Sequence, residues 1–193
     1  MNELSDEHLM ELVIQGSSDT FERIVRRHRS GLMRFVSTKV YRWQDAEDIV
    51  QETFLKVYSN RHRFDLSGSL KTWMFTIANN CAISHLRRKK LTSESQRPHA
   101  QPIMSPAEQI DLQQQSATIW QQAKSLSENQ YTALWLRYKE QMGVSQIARI
   151  MHKSRSHVRV LLHRARGKLA QILDGDAEMD AKTPMQKSPL GGI

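Results

Sequence analysis

The sequence predicts an all-α protein made of two small helical domains joined by a flexible linker. Apolar residues recur at three- and four-residue intervals through both halves of the chain, which is typical of helices with one buried face. Three prolines at four-residue spacing interrupt this pattern within residues 92–112 and favour extended chain. We therefore expect domains over residues 1–91 and 113–173, and a disordered tail over 174–193.

The composition indicates a soluble, cytoplasmic protein with a polyanionic partner. The formal net charge is +8, and no apolar run approaches the roughly 18 residues that span a bilayer. The N-terminus is acidic where a signal peptide is basic. Cys81, the single cysteine, excludes an internal disulfide and is predicted to be a core residue. The histidines show no metal-ligand spacing, so we expect no metal, no cofactor and no small-molecule substrate.

Residues 141–173 carry most of the functional signal. This stretch holds seven Lys and Arg residues and no Asp or Glu, a charge pattern that favours a nucleic-acid backbone as partner. One apolar stripe ends at Met151 and a second begins at Val158, and Ser154 between them is a good N-cap. This is the pattern of a helix-turn-helix. A solvated basic helix in an ordinary bundle is the alternative.

The second helix of this unit is predicted to expose its polar face. If its apolar stripe packs on the core, the outer faces carry the side chains expected of a recognition helix in a major groove. These residues are Arg155, Ser156, His157, Arg159, Val160, His163 and Arg164.

Residues 45–58, DAEDIVQETFLKVY, predict a helix with a mostly acidic, amide-bearing outer ridge. The acids near its start suit a helix N-terminus, and the apolar residues between them form a buried stripe. Carboxylates at such positions most often lie in solvent and only make the helix surface soluble. The functional alternative is that the ridge binds another protein. The ridge comprises Asp45, Asp48, Gln51, Glu52 and Lys56.

A third block, residues 70–90, predicts a long helix that ends in the cluster Arg87-Arg88-Lys89-Lys90. The turn-forming loop 64–69 precedes it. Taken together, the blocks at 45–58, 70–90 and 125–169 resemble, in order and spacing, the extracytoplasmic-function group of the sigma-70 family. The resemblance covers nearly all of residues 5–173.

The resemblance implies an alternative sigma factor that directs promoter-specific transcription initiation. Its first domain, sigma region 2, would bind the largest-subunit coiled coil of core RNA polymerase through the ridge and open −10 DNA. Its second domain, sigma region 4, would sit on the polymerase flap and read −35 DNA. The implied −10 contacts are Phe64, Trp73, Asn80, Arg87 and Arg88, with Phe64 and Asn80 reading a flipped-out base and Trp73 equally explained as a core aromatic.

The resemblance also implies a linker that threads the polymerase cleft, an anti-sigma factor that is often membrane-anchored, and no catalytic residues. Five positions depart from the family pattern. Gly143 stands where a serine cap is usual, a mild change because glycine also serves as a cap, and Leu161 stands where arginine is common. Ser84 replaces an acid, which leaves its segment more positive. His152 stands where the turn usually has glycine, so a positive φ there would cost strain. Val160 replaces a small polar residue, which indicates an altered −35 preference.

Three other interpretations stay open at this point. A stand-alone helix-turn-helix regulator would use the same recognition helix but leaves the acidic ridge unexplained. A polymerase-binding competitor without promoter melting is compatible with Ser84. A nucleic-acid enzyme lacks a clustered carboxylate or metal-ligand set in this sequence. A regulatory role for the tail, residues 174–193, is a further hypothesis that does not depend on which interpretation is correct.

Overall fold

The computed structural model describes residues 4–40, 42–91 and 114–181. Within them lie α1 (Asp6–Ile14), α2 (Ser18–Ser37), α3 (Trp43–Ser59), a 3-10 turn (Arg61–Arg63), α4 (Leu70–Leu91), α5 (Gln114–Ala123), α6 (Glu128–Tyr138), α7 (Val144–Ile150) and α8 (Arg155–Ala181). Strands are absent from these ranges, which confirms the all-α class. The part of the chain so described has no helix both long and apolar enough to cross a membrane. The predicted linker lies outside the described residues.

The first four helices share one core. Leu9, Ile24, Phe35, Ile49 and Met74 are almost completely buried, and each comes from a stripe that the helical periodicity predicts. Phe35 and Phe75 meet with their ring centroids 5.1 Å apart, which joins α2 to α4 at the centre. The apolar periodicity therefore correctly predicts the helices of this domain and the faces on which their apolar residues are buried.

The start of α1 is pinned to α2 by a partly buried carboxylate. Ser5 Oγ accepts a hydrogen bond from the backbone N–H of His8, as its N-cap position predicts. Asp6 lies 2.8 Å from His28 Nε2 and 2.6 Å from Arg27 Nη1. Hydrogen bonding to His28, and then to Arg27, lowers the pKa of Asp6 to about 2 in spite of its partial burial.

This lowered pKa predicts a specific loss of stability in acid. The contribution of Asp6 is fully present above its unfolded pKa near 4 and disappears as the pH falls through its folded value of about 2. A shift of this size corresponds to about 2 kcal/mol. Asp6→Asn should thus lower the free energy of unfolding by about that amount at pH 7 and by much less near pH 2.

Denaturant unfolding at several pH values would measure this difference. Glu11→Gln is the control, because Glu11 pairs with His8 on the same helix but both side chains are largely exposed. An Asp6→Asn deficit that is the same at pH 7 and near pH 2 would contradict the prediction.

Helices α5 to α8 form the second domain around another apolar core. Leu136, Ile147 and Val158 are fully buried in it, one from each of α6, α7 and α8. The sequence pair Ser127 and Gln130 predicts a capping box at the start of α6. The backbone N–H of Ser127 donates to Gln130 Oε1 at 3.1 Å, as such a box requires. The apolar pattern of α5 predicts that Ile119 and Trp120 are both buried. Ile119 is instead 42% exposed, because Trp120 takes the inward position and packs on α6.

The last helix is longer than the sequence pattern predicts. It continues to Ala181, so the first eight residues of the tail that is predicted to be disordered, 174–181, are helical. The residues added are mostly alanine, methionine and acids, and the first proline of the tail is Pro184. Because nothing among them breaks a helix except one tolerated glycine, the charge change at residue 174 is a poor marker of the helix end.

Candidate DNA-binding and polymerase-binding surfaces

The predicted recognition face of α8 is exposed along its whole length. Val158, Leu162 and Ala165 are buried against the rest of the second domain, which turns the opposite side of the helix outward. Ser154 Oγ accepts from the backbone N–H of His157 at 3.1 Å and starts the helix as predicted. All seven predicted residues are exposed, namely Arg155, Ser156, His157, Arg159, Val160, His163 and Arg164.

Geometry suits this face to a major groove. Arg159 and His163 are one helical turn apart, as are Val160 and Arg164, so the four side chains form a compact patch. A helix of about 10–12 Å diameter fits a groove about 12 Å wide. Arginine is the side chain best suited to bidentate contact with guanine. The patch can therefore both read base edges and hold phosphates.

The turn before α8 has the backbone conformation that its glycine-like position requires. His152 has φ of 52°, which is sterically unfavourable for a residue with a Cβ. Gly143 caps α7 in extended conformation, as expected of a residue that replaces serine there. The helix-turn-helix therefore keeps its standard path at the cost of local strain at His152.

The loop before α4 is held by its own hydrogen bonds. Asp65 Oδ1 accepts from the N–H and the hydroxyl of Ser67, at 2.9 and 2.8 Å, and these bonds lower the pKa of Asp65. Gly68 N–H donates to Asp65 O at 2.8 Å, and a Cβ on Gly68 would lie only 3.1 Å from that oxygen. A side chain on Gly68 would therefore push that oxygen away by a few tenths of an ångström. Leu66 at the loop tip is 45% exposed.

The two predicted aromatic −10 contacts pack on each other. The rings of Phe64 and Trp73 are 5.2 Å apart, with Phe64 buried and Trp73 partly exposed beside it. Asn80 is exposed further along α4, and Arg87 and Arg88 are exposed near its end. Loop and helix thus present an aromatic pair and an amide on one domain, followed by a cationic cluster.

The predicted ridge on α3 is present except for its first member. Asp48, Gln51 and Lys56 are exposed, and Glu52 is partly exposed with an oxygen 2.6 Å from Lys56 Nζ. That hydrogen bond is the main reason for the raised pKa of Lys56. The ridge therefore offers carboxylates, an amide and a cation to a partner within about three helical turns.

Asp45 does not lie on the outer surface, and that part of the prediction is wrong. It is only 9% exposed, and its carboxylate lies 2.6 Å from Lys89 Nζ and 3.6 Å from His85 Nε2. The reason is tertiary, because the end of α4 passes over the first turn of α3 and supplies these nitrogens. Asp45 thus joins the two helices beneath the ridge.

Some surface residues escape the sequence pattern. Leu55 is 69% exposed beside the ridge, although it is apolar. Leu55 lies two residues before the buried Val57 and is therefore off the buried stripe of α3. This spacing alone predicts that Leu55 is exposed. Arg149, on the first helix of the helix-turn-helix, lies close enough to Asp65 to help lower the pKa of that carboxyl. Nothing in the local sequence marks this proximity.

Two family descriptions match the two domains. Sigma-70 region 2 matches residues 24–92, and Sigma-70 region 4 matches residues 116–169. RNA polymerase sigma-H factor of Pseudomonas aeruginosa is 30% identical over 180 residues, which cover 87% of this chain and 93% of that protein. The ECF RNA polymerase sigma factor SigW of Bacillus subtilis is 26% identical, over 83% of this chain and 92% of its own length.

Solved structures share the fold at low identity. The sigma factor RpoE from Bartonella quintana, crystallised with the anti-sigma factor NepR, matches with a TM-score of 0.66 at 23% identity, over 80% of this chain and 96% of that one. CnrH, in complex with the cytosolic domain of CnrY, matches with a TM-score of 0.65 at 22% identity, over 89% and 98%.

Fold and surfaces together define a two-domain helical DNA-binding protein of transcription initiation. The chain belongs to the sigma-70 family of RNA polymerase sigma factors, in its extracytoplasmic-function group. It is an alternative sigma factor that directs transcription initiation, and a stand-alone regulator is not favoured. Sigma factors are regulators and not enzymes.

Proposed function

We propose that the α3 ridge of Asp48, Gln51, Glu52 and Lys56 binds the largest-subunit coiled coil of core RNA polymerase. The support is that these side chains are exposed on one rigid helix whose other face is completely buried. Leu55 adds an apolar contact beside them. Asp45 has an indirect role in this proposal, because it fixes α4 against α3 from below.

The first domain reads and opens −10 DNA at the start of α4. Asn80 would hydrogen-bond an extruded base, since an amide can both donate to and accept from a Watson–Crick edge. Trp73 is the accessible ring of the aromatic pair and would stack on a base, with Phe64 supporting it from behind. Arg87 and Arg88 would hold phosphates.

The second domain reads −35 DNA with α8 and rests on the polymerase flap. One observation carries this proposal more than any other. All seven residues predicted to face DNA are exposed on a single helix, and the described stretch 141–173 that contains it holds no acidic side chain. A phosphate backbone would neutralise this surface.

An anti-sigma factor is the further partner that the proposal includes. The structures of RpoE and CnrH, each solved with the partner named above, support an anti-sigma factor as a regulator of this chain. That partner could be membrane-anchored, while the protein itself works in the cytoplasm. The protein carries no catalytic activity, no metal and no cofactor, and acts by recruiting a polymerase to promoter DNA.

Run-off transcription with bacterial core polymerase tests the proposal. The template pool would have randomised −35 and −10 elements, so that the transcripts themselves reveal the preferred promoter. We expect specific transcripts, and we expect Asn80→Ala to relax the preference at one −10 position while leaving the −35 preference unchanged. No transcripts, combined with sequence-specific duplex binding without polymerase, would overturn the proposal.

A further inference from the structure

The two domains contact each other along one face of α4. Lys71 Nζ lies 2.8 Å from Glu140 Oε2, and Gln146 Nε2 donates to Thr72 Oγ1 at 3.0 Å. Both Thr72 and Glu140 are buried in this contact. From the second domain, α7 packs on α4, and α7 is the first helix of the helix-turn-helix.

The contact continues to the proposed −10 reader. Asn79 Nδ2 donates to the carbonyl of Ile150 at 3.0 Å, so a side chain of the first domain caps the last turn of α7. One residue further along, the amide oxygen of Asn80 lies 2.8 Å from His152 Nε2. The turn of the helix-turn-helix therefore occupies the hydrogen-bonding group that a −10 base would need.

This arrangement is incompatible with simultaneous reading of both promoter elements. The −10 and −35 elements are about 25 base pairs apart, which corresponds to about 85 Å of duplex. The recognition patch from Arg155 to Arg164 begins three residues after His152 and extends only about 15 Å along α8. The two reading surfaces must therefore separate before one molecule can read one promoter.

Other features of the contact favour its reversibility. The side chain of Lys39 is 5% exposed beneath Glu128 and Thr132, and burial lowers its pKa, so closure carries a desolvation cost. His152 keeps an unfavourable backbone conformation within the contact. Interfaces that are polar and contain such opposing contributions are typical of domains that move apart.

We propose that the free protein is held closed by its own helix-turn-helix, through Glu140 in the space beside Gly31 and through the His152–Asn80 hydrogen bond. In this closed state α7 packs on the first domain, and Asn80, the proposed −10 reader, is hydrogen-bonded to His152. Asn80 becomes accessible when polymerase or promoter DNA favours the open state, in which the two domains are apart. The inference rests on the proposed function for its promoter consequence, but closure itself is a property of the free chain.

Gly31 provides the sharpest test of closure. A Cβ at this position would lie 3.6 Å from Glu140 Oε2 and 3.8 Å from Phe75 Cζ, so a leucine side chain would fill the space that Glu140 occupies. Gly31→Leu should therefore open the domains while leaving each one folded. Gly167→Leu is the matched control, because Gly167 is also helical but has no atom within 4 Å of the added Cβ.

The readout is the distance between spin labels on the two domains of the free, full-length protein. Labels at the exposed positions Arg23 and Gln171, each changed to cysteine, would report it in a Cys81→Ala background. We expect a dominant short distance population in the parent and in Gly167→Leu, and a longer, broader one in Gly31→Leu. A parent distribution already as long and broad as that of Gly31→Leu would overturn the proposal.

A second pair of variants covers the case in which Gly31→Leu fails to fold. His152→Gly removes both the strained backbone conformation and the hydrogen bond to Asn80, whereas Gln141→Gly removes a similar strain, at φ of 55°, on an exposed residue. Both should keep or raise thermal stability. Only His152→Gly should lengthen the distance between the labels, and equal behaviour of the two would overturn a specific role for His152.

Polymerase binding separates this inference from the proposed function. If the free chain is closed about nine-tenths of the time, opening should tighten its apparent affinity for core polymerase about tenfold. Gly31→Leu should show this gain and Gly167→Leu should not. An opened variant with unchanged affinity would overturn the regulatory role, whereas no polymerase binding by any variant would overturn the proposed function and leave closure decided by the distances.

Discussion

Replacing Asp48 by arginine is expected to weaken binding to core RNA polymerase by about thirtyfold or more, because a reversed charge in a docked interface costs about 2–5 kcal/mol. Asp48 is exposed on the ridge, and within the described ranges it takes part in no ion pair. Its carboxylate is therefore available to a cation on the partner. Arginine there would place two cations face to face.

Binding of labelled protein to core polymerase at physiological salt would measure the effect. Glu22→Arg is the matched control, since it makes the same change of charge on α2, where Glu22 is exposed and pairs only with the neighbouring Arg26 in the described structure. Helix content should be unchanged in both variants. Equal loss of affinity in both would mean that net charge, and not the α3 ridge, determines binding.

The recognition helix shows how much a local pattern can predict. Its buried stripe, its N-cap at Ser154 and its seven exposed residues all follow from a period of 3.6 residues over a stretch without acids. The strain at His152 is also predictable, because the family position normally holds glycine. These properties depend on residues that are close in sequence, which is why the sequence predicts them well.

Asp45 shows where the same reasoning fails. An acid in the first turn of a helix is ordinarily solvated, and nothing within residues 45–58 indicates burial. Its partner Lys89 is 44 residues away, and only the packing of α4 across α3 brings the two together. A partly buried ion pair of this kind is a tertiary property, so sequence periodicity assigns Asp45 to the wrong surface.

The contact between the domains is invisible to sequence reasoning for a similar reason. Asn80 and His152 are 72 residues apart, and each is explained locally, one as a base reader and the other as a turn residue. The pattern around Glu140 predicts no insertion beside Gly31. Polar contacts between separately folded domains leave no periodic signal in either one. Closure is therefore a property of the tertiary structure that neither domain's sequence pattern predicts.

Loss of both Arg159 and Arg164 is expected to abolish promoter-specific transcription. Each good base contact by arginine contributes about 1–3 kcal/mol of discrimination, so the pair should reduce specific initiation at least about thirtyfold. Both side chains are exposed on the recognition face, while the helix is anchored by Val158 and Leu162 on its other side. Arg159→Ala with Arg164→Ala should therefore leave the fold intact.

The control for this variant must remove the same charge from elsewhere. Arg23→Ala with Arg26→Ala does so on the exposed face of α2, where Arg26 pairs with Glu22. Because nonspecific attraction to phosphates depends on total charge and salt, both double variants should lose some affinity for any duplex, and less at higher salt. Only the α8 variant should lose its preference among templates with randomised −35 elements. If both double variants keep the parent −35 preference and lose the same fraction of transcripts, α8 contributes charge alone, and the base-reading role of Arg159 and Arg164 is wrong.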